Sequence, residues 1–148
     1  MKKIFIIILV GLVFLSGCKF SDEDLLNINL QNHQNIQLHI HPFLEIEILG
    51  KPYLLQSNMG ITNGVMKVIH THDATGKLHV EATFPHQFFL GDFFTILGET
   101  FNSECIFDNC IDENHELLVF VDGVKSDKYE KVPLKDGGKI RIVYAKKN

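Results

Sequence analysis

The chain contains no tryptophan and only three cysteines, and it has no run of lysine or arginine. It also lacks a glycine-rich phosphate loop, any Cys-x-x-Cys pair and any methionine beyond Met66. Each absence removes a class of function. Without basic runs, and with a formal charge of −4, the chain has no electrostatic footprint for nucleic acid. A thioredoxin-like redox role needs Cys-x-x-Cys, whereas Cys105 and Cys110 are separated by four residues. A blue-copper site needs Cys, His and Met close to the end of the chain, where no Met is found. The aromatic content is carried instead by twelve phenylalanines. Phe needs no polar partner when buried, so they read as core.

What is present begins with Lys2 and Lys3 and an almost unbroken apolar run from Ile4 to Leu15, closed by Leu15-Ser16-Gly17-Cys18. The run is shorter than the roughly 20 residues a spanning helix needs. It resembles a bacterial lipoprotein signal peptide with its lipobox. The resemblance implies cleavage after residue 17, lipidation of Cys18 and a lipid-anchored protein in the bacterial cell envelope, outside the cytoplasm. Loss of residues 1–17 would leave twelve basic residues against eighteen acidic, a charge of −6. Residues 18–37, with Ser21-Asp22-Glu23-Asp24 and the amide-rich stretch Asn27 to Gln37, read as the lipidated Cys and a flexible tether, His33 among them. Residues 38–148 are then expected to form one globular domain.

Period and punctuation outline that domain. Residues 38–49 alternate as a strand, Gly50-Lys51-Pro52 marks a turn, and Tyr53 to Gln56 starts a return strand. Val65 to His72 and Lys77 to Phe84 read as further strands around the turn Ala74-Thr75-Gly76. Leu90, Phe93, Phe94 and Leu97 fall at i, i+3, i+4 and i+7, which predicts a helix over 90–97 with Gly98 as its C-terminal cap. Glu116 to Val121 and Lys139 to Tyr144 read as strands, and Asp122-Gly123 as a type I′ hairpin turn. The expected class is α+β: a mainly antiparallel sheet with one short helix. Leu118-Val119-Phe120-Val121-Asp122-Gly123, taken with Leu134-Lys135-Asp136-Gly137-Gly138-Lys139-Ile140, resembles the closing strands of β-grasp domains. Gly138 stands where that pattern carries a second Asp. The resemblance implies a β-grasp-like fold and nothing about function.

Five of the eight histidines fall in two patches, His39-Ile40-His41-Pro42 and His70-Thr71-His72-Asp73 continued by His79-Val80-Glu81. Residues i and i+2 of a strand share a face, so each His-x-His can offer two imidazoles to one ion. His39, His41, His70 and His72 are the first candidate metal ligands, with His79, Asp73 and Glu81 second. The alternation places the histidines on faces that the apolar residues leave free. The ligand types suit Zn or Cu. Strand histidines held by hydrogen bonds without a metal are the alternative.

Taken together, His-Ile-His-Pro, His-Thr-His-Asp, Gly-Lys-Leu-His-Val-Glu, Leu-Gly-Asp-Phe-Phe and Phe101-Asn102-Ser103 are similar to small exported or membrane-anchored proteins of bacteria and archaea with no assigned activity. Gly64 with His70-x-His72 is similar to the opening of a cupin motif, but Glu81 lies too far along. The His-x-His-x-Asp-His of metallo-β-lactamase-like enzymes is not met, because Asp73 follows His72 directly. A metal-dependent hydrolase would use Glu81 or Glu45 as base, but no enzyme motif closes. Outside the cytoplasm Cys105 and Cys110 are expected to form a disulfide; a thiol pair for Cu(I) and a redox couple are the alternatives. Two readings stand: a metal-binding envelope lipoprotein, and a metal-free β-grasp interaction module binding an envelope protein or polymer.

Overall fold

The computed structural model describes residues 22–32 and 35–147, so the apolar run, Cys18 and His33 lie outside the described residues. A short helix α1 (Asp22–Leu26) and a 3-10 turn (Leu30–Asn32) lead into strands β1 (Leu38–Ile40), β2 (Phe43–Ile48) and β3 (Lys51–Tyr53). The short strands β4 (Ile61–Thr62), β5 (Val65–Met66) and β6 (Ile69–His70) precede β7 (His79–Ala82) and helix α2 (Leu90–Leu97). Then come β8 (Cys105–Ile106), β9 (Asn109–Cys110), β10 (His115–Val121), β11 (Val124–Ser126), a 3-10 turn (Tyr129–Lys131) and β12 (Lys139–Lys146). The α+β class holds: a sheet-dominated fold with one helix of two turns.

Two sheets carry the architecture. The larger has the order β11-β10-β12-β2-β3, antiparallel except for the central pair β12 and β2, which run parallel. The smaller has the order β1-β7-β6 and is antiparallel throughout. Alternation explains which face of the larger sheet turns inward. Leu44 and Ile46, Leu117 and Val119, and Ile140, Ile142 and Tyr144 are all buried, while Glu45, Arg141 and Lys139 point to solvent. Leu90, Phe93 and Phe94 of α2 join the same core, as do Ile69, Val80 and Ala82 of the smaller sheet. Each such valine, leucine, isoleucine or phenylalanine contributes on the order of 1.5–3 kcal/mol.

Helix α2 occupies the residues its periodicity predicts. Its start is fixed by Asp92, whose carboxylate accepts the Phe89 N–H at 2.7 Å. Its end is fixed by Gly98 at φ 70°, with the Glu99 N–H reaching the Phe94 carbonyl at 2.9 Å. Asp122 and Gly123, at φ 50° and 83°, make the two-residue turn joining β10 to β11.

Three expectations are corrected. The single strand over 38–49 is two strands in two sheets, parted at His41-Pro42. Proline brings no N–H to a ladder, and the Pro42 carbonyl turns to the Leu78 N–H (2.9 Å) while the His41 N–H turns to Asp136 Oδ1 (2.8 Å). The strand over 65–72 also breaks, because the Lys67 carbonyl faces His70 Nδ1 at 2.9 Å. The segment read as a flexible tether is in part structural. Leu25, Leu26 and Leu30 are buried, and the Asn29 side chain clamps the β4–β5 hairpin through the Gly64 carbonyl and the Met66 N–H. Amides both donate and accept, so a stretch that buries little apolar surface can still be tied down.

Cys105 and Cys110 form the expected disulfide across β8 and β9, where they are register partners. The loop it closes is short, so its removal should cost about 2 kcal/mol by loop-closure entropy. The expected outcome for the Cys105→Ser/Cys110→Ser double variant is a lowered urea midpoint with α2 and both sheets retained. An unchanged midpoint would show that the hairpin holds itself.

Candidate metal centre

The smaller sheet gathers the histidines. In its central strand His79 is the register partner of His70 on β6, and Glu81 that of His39 on β1. His41 follows β1 by one residue and reaches the same place, its ring centroid 4.6 Å from that of His79. The His72 and His70 rings lie 4.5 and 5.5 Å from His79 on the other side, and the His39 ring lies at 6.0 Å. Among the described residues two groups of three could hold a metal ion: His39, His41 and His79, and His70, His72 and His79. In each, one ligand atom per residue lies within 4.8 Å of the others. His79 belongs to both.

The backbone fixes more of this than the His-x-His spacing does. His70 is fully buried, which corrects the expectation that all the histidines lie on faces left free by apolar residues. Val68, Ile69 and Thr71 beside it are also buried, so β6 is covered on both faces and parity loses its meaning there. A carbonyl oxygen can only accept, so His70 Nδ1 carries the proton that bonds to Lys67, and Nε2 keeps its lone pair. That Nε2 lies 3.2 Å from His72 Nε2. Two nitrogens bound tetrahedrally to one ion at about 2.0–2.1 Å would be about 3.3 Å apart. The pair already stands at ligand spacing, with the second nitrogen of His70 anchored as metal-binding histidines usually are.

Glu81 Oε1 lies 3.1 Å from His39 Nε2 and 3.8 Å from His79 Nδ1. It therefore joins the cluster as a carboxylate neighbour, while the three-residue groups themselves are all histidine. Asp73 does not join it. Its carboxylate is exposed, accepts from the Thr75 N–H and hydroxyl, and is held below its ordinary value by those bonds. Asp136, named above only within the β-grasp-like pattern, is an addition: besides binding the His41 N–H, its Oδ1 lies 3.9 Å from His41 Nδ1. Nothing local in the sequence marks it, since the contact spans 95 positions. Glu45, the other base considered, lines a groove on the larger sheet with Phe43, Phe120 and Arg141.

Burial first, and then the neighbouring His72, His41 and His70, push the pKa of His79 down from 6.5 to about 4, against the pull of Glu81. Burial also lowers His70, opposed by the Lys67 carbonyl. Both rings are therefore neutral at pH 7, the state in which imidazole ligates metals. His79 Nδ1 is buried without a hydrogen-bond partner, a cost that a bound cation would remove.

The depression sets a sign for the metal-free protein. Between pH 6.5 and about 4 the unfolded chain protonates His79 and the folded chain does not. Stability is accordingly expected to fall as pH falls through that window, by roughly 1 kcal/mol per pH unit from this group. Urea midpoints of metal-free protein at pH 7 and pH 5 check this; equal midpoints would contradict the burial of neutral His79.

No family model, curated protein or solved structure matches the chain.

Proposed function

We propose that this chain is a membrane-anchored envelope lipoprotein that binds one transition-metal ion, Zn(II) or Cu(II), at its histidine cluster. The observation that carries the reading is the gathering of four imidazoles around His79, whose buried Nδ1 has no hydrogen-bond partner. An all-nitrogen set with a carboxylate beside it suits these borderline ions better than Ca²⁺ or Mg²⁺, which take oxygen ligands. Among the described residues no helix is long and apolar enough to cross a membrane. The lipid anchor rests on Leu15-Ser16-Gly17-Cys18 alone. With α1 starting at Asp22 and tied in by Leu25 and Leu26, only Lys19 to Ser21 separate Cys18 from the fold. Such a spacer reaches at most about 14 Å, so the domain would sit close to the bilayer.

Equilibrium dialysis of the untagged chain with elemental analysis tests the metal, with about one equivalent expected near neutral pH. Binding of nothing would sink it. For the anchor, Cys18→Ala is expected to abolish lipid labelling in a bacterial host and leave uncleaved precursor. A variant processed and labelled like wild type would refute it.

One observation favours the second reading, a metal-free β-grasp-like interaction module without catalytic activity. The outer face of the larger sheet carries a groove of about 590 Å³ lined by Phe43, Glu45, Phe120 and Arg141 among others. The parallel placing of β2 beside β12 supports the β-grasp-like description of the closing strands. That reading would gain if dialysis found no metal and an envelope protein or polymer bound this face.

A further inference from the structure

The two histidine triads differ in what surrounds them. In the outer triad the His39 side chain is 51% exposed and that of His41 is 37% exposed, and each stands beside a carboxylate, Glu81 and Asp136 respectively. Of the two, Asp136 is exposed, and a negative group at a solvent-facing edge raises the local concentration of cations and speeds their arrival. The inner triad differs in being anchored by a buried residue, although its His72 is exposed. His70 is fully buried, its tautomer is fixed by the Lys67 carbonyl, and its Nε2 already stands 3.2 Å from that of His72. Preorganised ligands hold an ion longer because little ordering remains to be done when they bind. His79 stands between the two pairs and is a member of both triads.

Resting on the metal-binding reading, we propose that the triads are successive stations for one cation, captured by His39 and His41 and then held by His70 and His72, with His79 a ligand at both. The divalent ion is cargo in this scheme, passed inward by ligand exchange. Bonds from the metal to His39 and His41 break as bonds to His70 Nε2 and His72 Nε2 form. The ion keeps its charge and nothing is oxidised or reduced. Because His70 Nε2 is bare, the proton in the 3.2 Å contact belongs to His72 Nε2. It must pass to His72 Nδ1 before both nitrogens can face the metal. The His72 ring is exposed, so water can carry that proton from one nitrogen to the other with no net release.

The two pairs then separate in kinetics. The experiment follows Zn(II), supplied from a chromophoric chelator, into the untagged chain by stopped flow, out of it by an EDTA chase, and at equilibrium by chelator competition. For His39→Ala/His41→Ala, uptake and release are both expected to slow by about tenfold or more while Kd changes by less than about threefold, the signature of a lost gateway. For His70→Ala/His72→Ala, the uptake rate is expected to stay near wild type while Kd weakens by about 100-fold and release quickens. His70 is a core residue, so His72→Ala alone, at an exposed position, guards against a folding defect and is expected to shift Kd and release in the same direction. Equal loss of affinity in both double variants would mean one undivided centre and overturn the proposal. Two Zn(II) bound per wild-type chain would also overturn it. A wild-type chain that binds no Zn(II) would instead bring down the metal reading on which the proposal rests.

Discussion

His79→Ala is expected to abolish metal binding, raising the apparent Kd by on the order of 10³-fold, well beyond the 10–100-fold that outer-shell partners contribute. The size follows from position. His79 is the one histidine common to both triads, and its ring lies within 6.0 Å of the other four by centroid. Removing any other histidine leaves one triad whole, whereas removing this one leaves two pairs. A second readout separates loss of a ligand from loss of the fold. Since His79 is held neutral by burial and by its neighbours, its removal should also flatten the fall in stability of the metal-free protein between pH 6.5 and about 4. A variant that is folded, less acid-sensitive and unable to bind Zn(II) would fit the hub role. One that is folded and binds as wild type does would refute it. Asp73→Ala is the matched control: its carboxylate is occupied by Thr75, and affinity is expected to be unchanged.

Local pattern was enough to read some elements and not others. Helix α2 was legible because four apolar residues at helical spacing and a following glycine agree, and the Asp122-Gly123 turn because two residues that accept positive φ are adjacent. The histidine set was legible as chemistry, since two His-x-His pairs concentrate metal-ligating imidazoles, although His41 and His72 lie past the ends of β1 and β6. The grouping into two triads was not, because it depends on β7 lying between β1 and β6, a pairing decided by the whole core. Nor was the burial of His70, which needs β6 to be covered on both faces. Alternation assumes one wet face, and it fails where a short polar stretch is enclosed. Asp136 and the Lys67 carbonyl were invisible for a related reason: one acts across 95 positions and the other is backbone, which carries no sequence signature.

The glycine behind that buried histidine gives the largest expected effect on stability. Gly60 has φ 76°, and its carbonyl accepts the Lys67 N–H at 2.9 Å. A Cβ built there would lie 2.5 Å from the Ile69 carbonyl oxygen and 3.1 Å from His70 Cβ. Neither is the loose end of a flexible side chain, so the backbone of β6 would have to move. Positive φ costs an alanine about 1–2 kcal/mol, and forced backbone displacement adds about 1–3 kcal/mol. Gly60→Ala is therefore expected to lose roughly 3 kcal/mol and more than about 10 °C in Tm. Gly50 supplies the comparison. Its φ is 77°, nearly the same, but nothing lies within 4 Å of the added Cβ. Gly50→Ala should show the conformational cost alone, about 1 kcal/mol, with Zn(II) affinity unchanged. In Gly60→Ala the displaced β6 carries His70 with it, so its Nε2 leaves the 3.2 Å spacing to His72 and affinity should fall by about tenfold. Thermal unfolding and chelator competition on the two variants decide the matter. Equal Tm values would mean that β6 yields without cost, and a destabilised Gly60→Ala with full affinity would mean that His70 is not held at its ligand position by this contact.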